Sequence, residues 1–263
     1  MITTDLVPGV PCWIDLGAPD IKAAASFYGS VLGWEFEPMG GDMEGGALKK
    51  DGKTVGGLGR LTEEGARSAW MIYYCVTDAD ATTQAVQGAG GTVRVEPRDL
   101  GDWGKMAQFT DPQGAQFAVW QPGRNTGFEL VGAPGSLSWT ELYTTDAAAA
   151  KEFYGSVFGW QYSDMEMPGG EGTYTIITPS GLPEERMQGG LMQLRPADLS
   201  LTSGRPYWHP VFDVPDCDAA ITKVTEGGGS VQMGPADMEG VGRLAVCLDP
   251  FQADFVVLAP AQG

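Results

Sequence analysis

Two short stretches hold the residue types that chemistry needs. In PCWIDLGAPD, Trp13 and Asp15 alternate with Ile14 and Leu16. In LSWTELYTTD, Trp139, Glu141 and Tyr143 alternate with Thr140 and Leu142. Such alternation marks a strand with one buried face, so each stretch presents an indole and a carboxylate together on the other. By the same period, AWMIYYCVTD groups Met71, Tyr73 and Cys75, and YWHPVFDVPD groups His209, Val211 and Asp213.

A carboxylate among aromatic rings loses water, which raises its pKa. It then serves as a base, binds a cationic or hydroxylated ligand, or pairs with an arginine; Arg60, Arg94 and Arg243 are available. His209 is the only histidine. Oriented by Glu141 or Asp213 it is a candidate acid–base group; hydrogen-bonded in a core it is structural. Tryptophan faces stack on flat, apolar or cationic molecules, worth about 0.5–1.5 kcal/mol beyond burial. Trp13 with Met71 and Tyr73 is one candidate binding wall, to which Trp120 of AQFAVWQP can add. Trp139 with Tyr143 is the other.

The elements that must position these groups come from a duplication. FYGSVLGW at 27–34 returns as FYGSVFGW at 153–160, and Trp13/Trp139, Asp20/Asp146 and Tyr28/Tyr154 all keep a spacing of 126. Later pairs, Asp111-Pro112 with Asp249-Pro250 and Gly91 with Gly229, stand 138 apart, so the second copy gained 12 residues between Trp160 and Trp208. Domains over 1–122 and 134–263 are expected, joined by a Gly- and Pro-containing linker at 123–133.

Each copy repeats again internally. A strand ending at Asp20 leads into IKAAASFYGSVLG, where Ile21, Ala24, Phe27, Tyr28, Val31 and Leu32 share a helix face, Asp20 caps the start and Gly33 the end. Short β pieces follow. MIYYCVTD and ADATTQAVQGAGG start the same pattern again. The fold class is therefore α+β, with four βαβββ modules. Gly-rich GGDMEGG is expected as a hairpin loop.

Composition excludes several classes. The chain has 263 residues, net charge −18 and 43% hydrophobic residues, which argues against a nucleic-acid partner. No apolar run reaches membrane-spanning length and the start does not resemble a signal peptide, so a cytoplasmic protein without membrane contact is expected. Cys12, Cys75, Cys217 and Cys247 form no CxxC pair. GxGxxG between strand and helix, GxxxxGK[ST], GxSxG and HExxH are all missing.

The strand-Asp-helix-FYGSVLGW pattern at 15–34, the VTDAD and DVPDCDA starts and the closing DPQGAQFAVW resemble the vicinal oxygen chelate superfamily, which holds glyoxalase I, bleomycin-resistance proteins and extradiol dioxygenases. The second copy's closing DPFQADF departs from the pattern in lacking the usual glycine. The resemblance implies that two modules close around one cleft in each domain. In metal-using members, His, Glu or Gln from the first and last strand of each module hold a divalent cation. Those positions fall on Trp13, about Gly57, Met71 and Ala118 in the first copy, and on Trp139, about Gly190, His209 and Val256 in the second. Of these residues only His209 could bind a metal. The expectation is a protein without metal or other cofactor that binds a small aromatic or polyketide-like metabolite in natural-product metabolism or resistance. Trp13, Asp15, Met71, Tyr73, Trp120, Trp139 and Tyr143 are its candidate binding residues. A metal-independent enzyme using Glu141, His209 and Asp213 is the alternative; a metal-dependent lyase or dioxygenase is the second. A monomer or a weak homodimer is expected.

Overall fold

The computed structural model describes residues 1–261 apart from 41–43, 63–64 and 168–171. The centre of GGDMEGG lies outside the described residues. In chain order the elements are β1 (Pro11–Ala18), α1 (Ile21–Leu32), β2 (Glu35–Pro38), β3 (Gly45–Lys50), β4 (Lys53–Arg60), β5 (Ala69–Cys75), α2 (Ala79–Gly88), β6 (Thr92–Asp99), β7 (Gly104–Thr110) and β8 (Gln116–Pro122). The second copy continues with β9 (Leu137–Thr144), α3 (Ala147–Phe158), β10 (Gln161–Glu166), β11 (Thr173–Thr178), β12 (Gly189–Gln193), β13 (Tyr207–Asp213), α4 (Cys217–Glu226), β14 (Ser230–Met238), β15 (Gly242–Leu248) and β16 (Asp254–Pro260). This is βαβββ four times. The strands run β2-β3-β4-β1-β5-β8-β7-β6 in one sheet and β10-β11-β12-β9-β13-β16-β15-β14 in the other. No helix among the described residues is long and apolar enough to cross a membrane.

Local signals place the helices. Asp20 and Asp146 are extended N-caps whose side chains accept from the amides of Ala23 and Ala149, each at 3.0 Å. Gly33 (φ 73°) and Gly159 (φ 69°) end the same helices in the left-handed region, where a Cβ is costly. Gly29 is required by a close approach: a Cβ there would lie 3.0 Å from the Trp34 carbonyl oxygen.

Packing divides the chain differently from the repeat. One compact unit comprises Met1–Cys12, Ile72–Gly127 and Trp139–Trp208; the other comprises Trp13–Met71, Phe128–Ser138 and His209–Gly263. Each thus joins a module of one copy to a module of the other. The octapeptide tyrosine shows how. In the second unit, fully buried Tyr28 donates to Asp249 Oδ2 (3.2 Å) and accepts from Trp70 Nε1 (3.1 Å). Asp249 Oδ1 in turn accepts the Phe251 and Ala253 amides of its own turn, both at 2.8 Å. In the first unit, Tyr154 donates to Asp111 Oδ2 (3.0 Å) and accepts from Trp208 Nε1 (2.8 Å). The tyrosine of each copy is therefore tied to the Asp-Pro turn of the other. Aromatic rings surround both: Trp34, Trp70, Phe212 and Phe255 in one unit, Phe117, Trp160 and Trp208 in the other.

Candidate functional site

The alternation in β1 places Ile14 and Leu16 in the core with no exposure, while Trp13, Asp15 and Gly17 remain half-buried on the opposite face. Register then fixes the neighbours of Asp15. On parallel β4, Gly57 lies beside Asp15 and Gly59 beside Gly17. On antiparallel β3, Ala47 lies beside Gly57 and Gly45 beside Gly59. The carboxylate therefore rests on a floor with almost no side chains. The glycine at 57 is required by this arrangement, since a Cβ there would stand 2.2 Å from Asp15 Oδ1 and 3.3 Å from the Trp13 ring. One wall is Trp13, stacked on Phe128 with ring centroids 6.2 Å apart and 25° between planes. Phe128 belongs to the expected linker, which is anchored further by Glu129 accepting the Thr54 amide at 2.7 Å.

Asp15 makes no hydrogen bond or ion pair with any described residue. Burial alone pushes its carboxyl up to about 7, because removing water disfavours the charged form when nothing replaces it. Lys49 on β3 and Glu37 on β2, the charged groups further along the adjoining strands, pair with each other. Arg60 pairs with Glu44, and Arg243 pairs with Asp218 and Asp237 at 3.0 Å.

The equivalent strand, β9, puts Trp139, Glu141 and Tyr143 on one face, with Gly190 of parallel β12 beside Glu141. Here the glycine makes room for Tyr174 of β11: a Cβ at Gly190 would fall 1.9 Å from the Tyr174 hydroxyl oxygen. That hydroxyl accepts from Trp139 Nε1 at 2.8 Å. The phenols of Tyr143 and Tyr174 flank Glu141, and both are held well above their ordinary pKa, by burial first and then by the nearby Glu141 charge. The Tyr207 ring meets that of Tyr143 edge-on at 5.6 Å. By register, Tyr143 corresponds to Gly17 and Tyr174, beside Met192, corresponds to Gly45 beside Gly59; by the repeat spacing, Tyr207 corresponds to Ala69. Three aromatic side chains thus fill one face where the other carries Gly, Gly and Ala.

The remaining candidates occupy varied settings. Met71 is half-buried and Tyr73 buried. Trp120 is buried, with Nε1 donating to the Asn125 carbonyl at 3.0 Å. His209 has no exposure; its Nδ1 lies 3.2 Å from Asp254 Oδ2, and the Arg67 guanidinium lies 3.3 Å from Asp254 Oδ1. Asp213 is half-buried, and burial raises its carboxyl; the nearby Ser138 Oγ donates to the Val211 carbonyl at 3.3 Å. Glu141 belongs to one compact unit, His209 and Asp213 to the other.

The residues at the superfamily's metal positions do not fit a metal. Trp13, Gly57, Met71 and Ala118 supply no hard donor, and Gly190 and Val256 supply none beside His209. Among the described residues no group of three or more His, Cys, Asp and Glu side chains could hold an ion. Phe128, Tyr174 and Tyr207 are missing from the sequence-derived set. The first sits in a segment with linker composition and Tyr174 needs strand register to be placed, whereas Tyr207, two residues before His209, lay within reach of the period of two.

Residues 13–120 match the Glyoxalase-like domain, and residues 136–257 match the Glyoxalase/Bleomycin resistance protein/Dioxygenase superfamily. Over 99% of its length the chain is 36% identical to the anthracycline biosynthesis protein DnrV of Streptomyces peucetius, covering 96% of that protein. The chain belongs to the glyoxalase/bleomycin resistance protein/dioxygenase superfamily. Its fold is shared with the Mn(II)-bound glyoxalase of Novosphingobium aromaticivorans (TM-score 0.62, 19% identity, covering 97% of this chain and 85% of that one). The 2,2',3-trihydroxybiphenyl 1,2-dioxygenase of Sphingomonas wittichii strain RW1 shares it too (TM-score 0.66, 15% identity, 97% and 92% covered).

Proposed function

We propose that this protein binds a small aromatic metabolite of natural-product metabolism on the Trp13–Asp15 face, without a metal ion. The observation that carries this reading is a tryptophan and a carboxylate, without a partner among the described residues, standing over a floor of Gly17, Gly45 and Gly57. Flat apolar molecules fit such a wall-and-floor arrangement. Similarity to DnrV, a protein named for anthracycline biosynthesis, supports a polycyclic ligand class.

A proton-transfer enzyme built on Glu141, His209 and Asp213 has less support. Glu141 is hemmed in by two phenols, and His209 lies buried against Asp254. The test is titration of the purified protein with polycyclic aromatic compounds, followed by indole fluorescence, beside elemental analysis of the same sample. Saturable binding by metal-free protein is expected, weakened by Trp13→Ala. Stoichiometric divalent metal that binding requires would overturn the reading.

A further inference from the structure

The Asp15 face specifies more than flatness. A half-buried carboxylate must be compensated by donors from somewhere. On the Glu141 face the protein brings its own polar groups, the phenols of Tyr143 and Tyr174, close enough for the carboxylate's charge to act on both. On the Asp15 face the same positions are Gly17 and Gly45, and no described residue donates to the carboxylate. That leaves the carboxylate's donors to water or to a ligand that displaces it.

Three features distinguish the possible partners. An anionic group is repelled by Asp15 and by a chain of net charge −18. A metal ion needs several oxygen donors, and this face offers one carboxylate with Gly57, Gly59, Gly45 and Ala47 around it. A protonated amine needs one carboxylate and one aromatic face, and Trp13 stands beside Asp15. Charge-assisted hydrogen bonds are also roughly twice as strong as neutral ones, so a cation offsets the lost hydration better than a hydroxyl does.

We propose that Asp15 is the recognition point for a protonated amine on the ligand, making the substrate class a basic, amine-bearing aromatic molecule. This rests on the binding function proposed above. The absence of side chains at Gly17 and Gly45 is what keeps the position open, and the tyrosines at 143 and 174 close its counterpart.

Two probes differing in one group test this: aminomethylanthracene and hydroxymethylanthracene, titrated into the full chain by fluorescence anisotropy at about pH 8, where Asp15 is ionised. The expected result is a preference for the amine of roughly tenfold or more, as one charge-assisted contact supplies. Asp15→Asn should bring the amine-to-alcohol ratio close to one. Gly17→Tyr, whose new Cβ meets only the yielding Leu61 Cδ1 at 3.3 Å, should reduce binding of both probes. Circular dichroism checks that each variant is folded. If neither probe binds the wild-type chain, the binding function itself fails. Equal affinity for both probes overturns the amine inference alone. A preference that survives Asp15→Asn and disappears in Glu141→Gln also overturns it.

Discussion

The faces around Asp15 and Glu141 descend from one duplicated strand, yet they resolve the same electrostatic problem in opposite ways. Both place a tryptophan two residues before a carboxylate and a glycine beside it on the next strand. At Glu141 the glycine admits the ring of Tyr174, and two phenols crowd around the carboxylate. At Asp15 the glycine admits the carboxylate itself, which is left with no partner among the described residues. The lesson is that identical backbone geometry becomes a filled surface or an open one according to three side chains. One face has used its polar capacity internally, while the other has kept it for a ligand.

That contrast can be strained experimentally, and the largest effect is expected at Asp15. Its folded-state pKa of about 7 stands above the ordinary 3.8. Between these values the folded chain keeps a proton that the unfolded chain has released, so stability falls as pH rises through the window. Asp15→Asn removes this penalty. The variant should match wild type near pH 4 and exceed it above pH 7 by up to about 4 kcal/mol, read from urea denaturation at both pH values. Glu141→Gln, on the face already filled by Tyr143 and Tyr174, should give no comparable gain at high pH, which the same denaturation curves would reveal.

Next in size is Gly190→Ala. A methyl group 1.9 Å from the Tyr174 hydroxyl oxygen forces that ring aside, at a cost of about 1–3 kcal/mol. Tyr174→Phe is milder. It deprives Trp139 Nε1 of its acceptor, with an expected loss of about 1–2 kcal/mol in thermal unfolding. The smallest stability change is expected from Phe128→Leu, which keeps bulk but ends the stack on Trp13; about 1 kcal/mol is lost, and ligand affinity falls with it.

Much of this was legible in the sequence, and the reasons for the remainder are physical. The two repeat spacings located β1 and β9 and gave the module order. The period of two put Trp13 and Asp15 opposite Ile14 and Leu16, as the burial pattern has it. The equivalence of Gly45 and Tyr174 was hidden, because β3 and β11 sit in hairpins of unequal length whose register only backbone pairing defines. Phe128 was hidden by its setting: a loop composition does not reveal that one of its rings docks on an indole. The tie from Tyr28 to Asp249 spans most of the chain, a separation over which no periodicity carries information. The octapeptide was recognisable as core, but its tyrosine also ties each copy to the other's Asp-Pro turn.

The most direct test of the open-face account is the stoichiometry of aminomethylanthracene binding by titration calorimetry. One site per chain is predicted, lost in Gly17→Tyr and weakened in Trp13→Ala. Two equivalent sites per chain, or a single site that disappears with Trp139→Ala while Trp13→Ala has no effect, would contradict it.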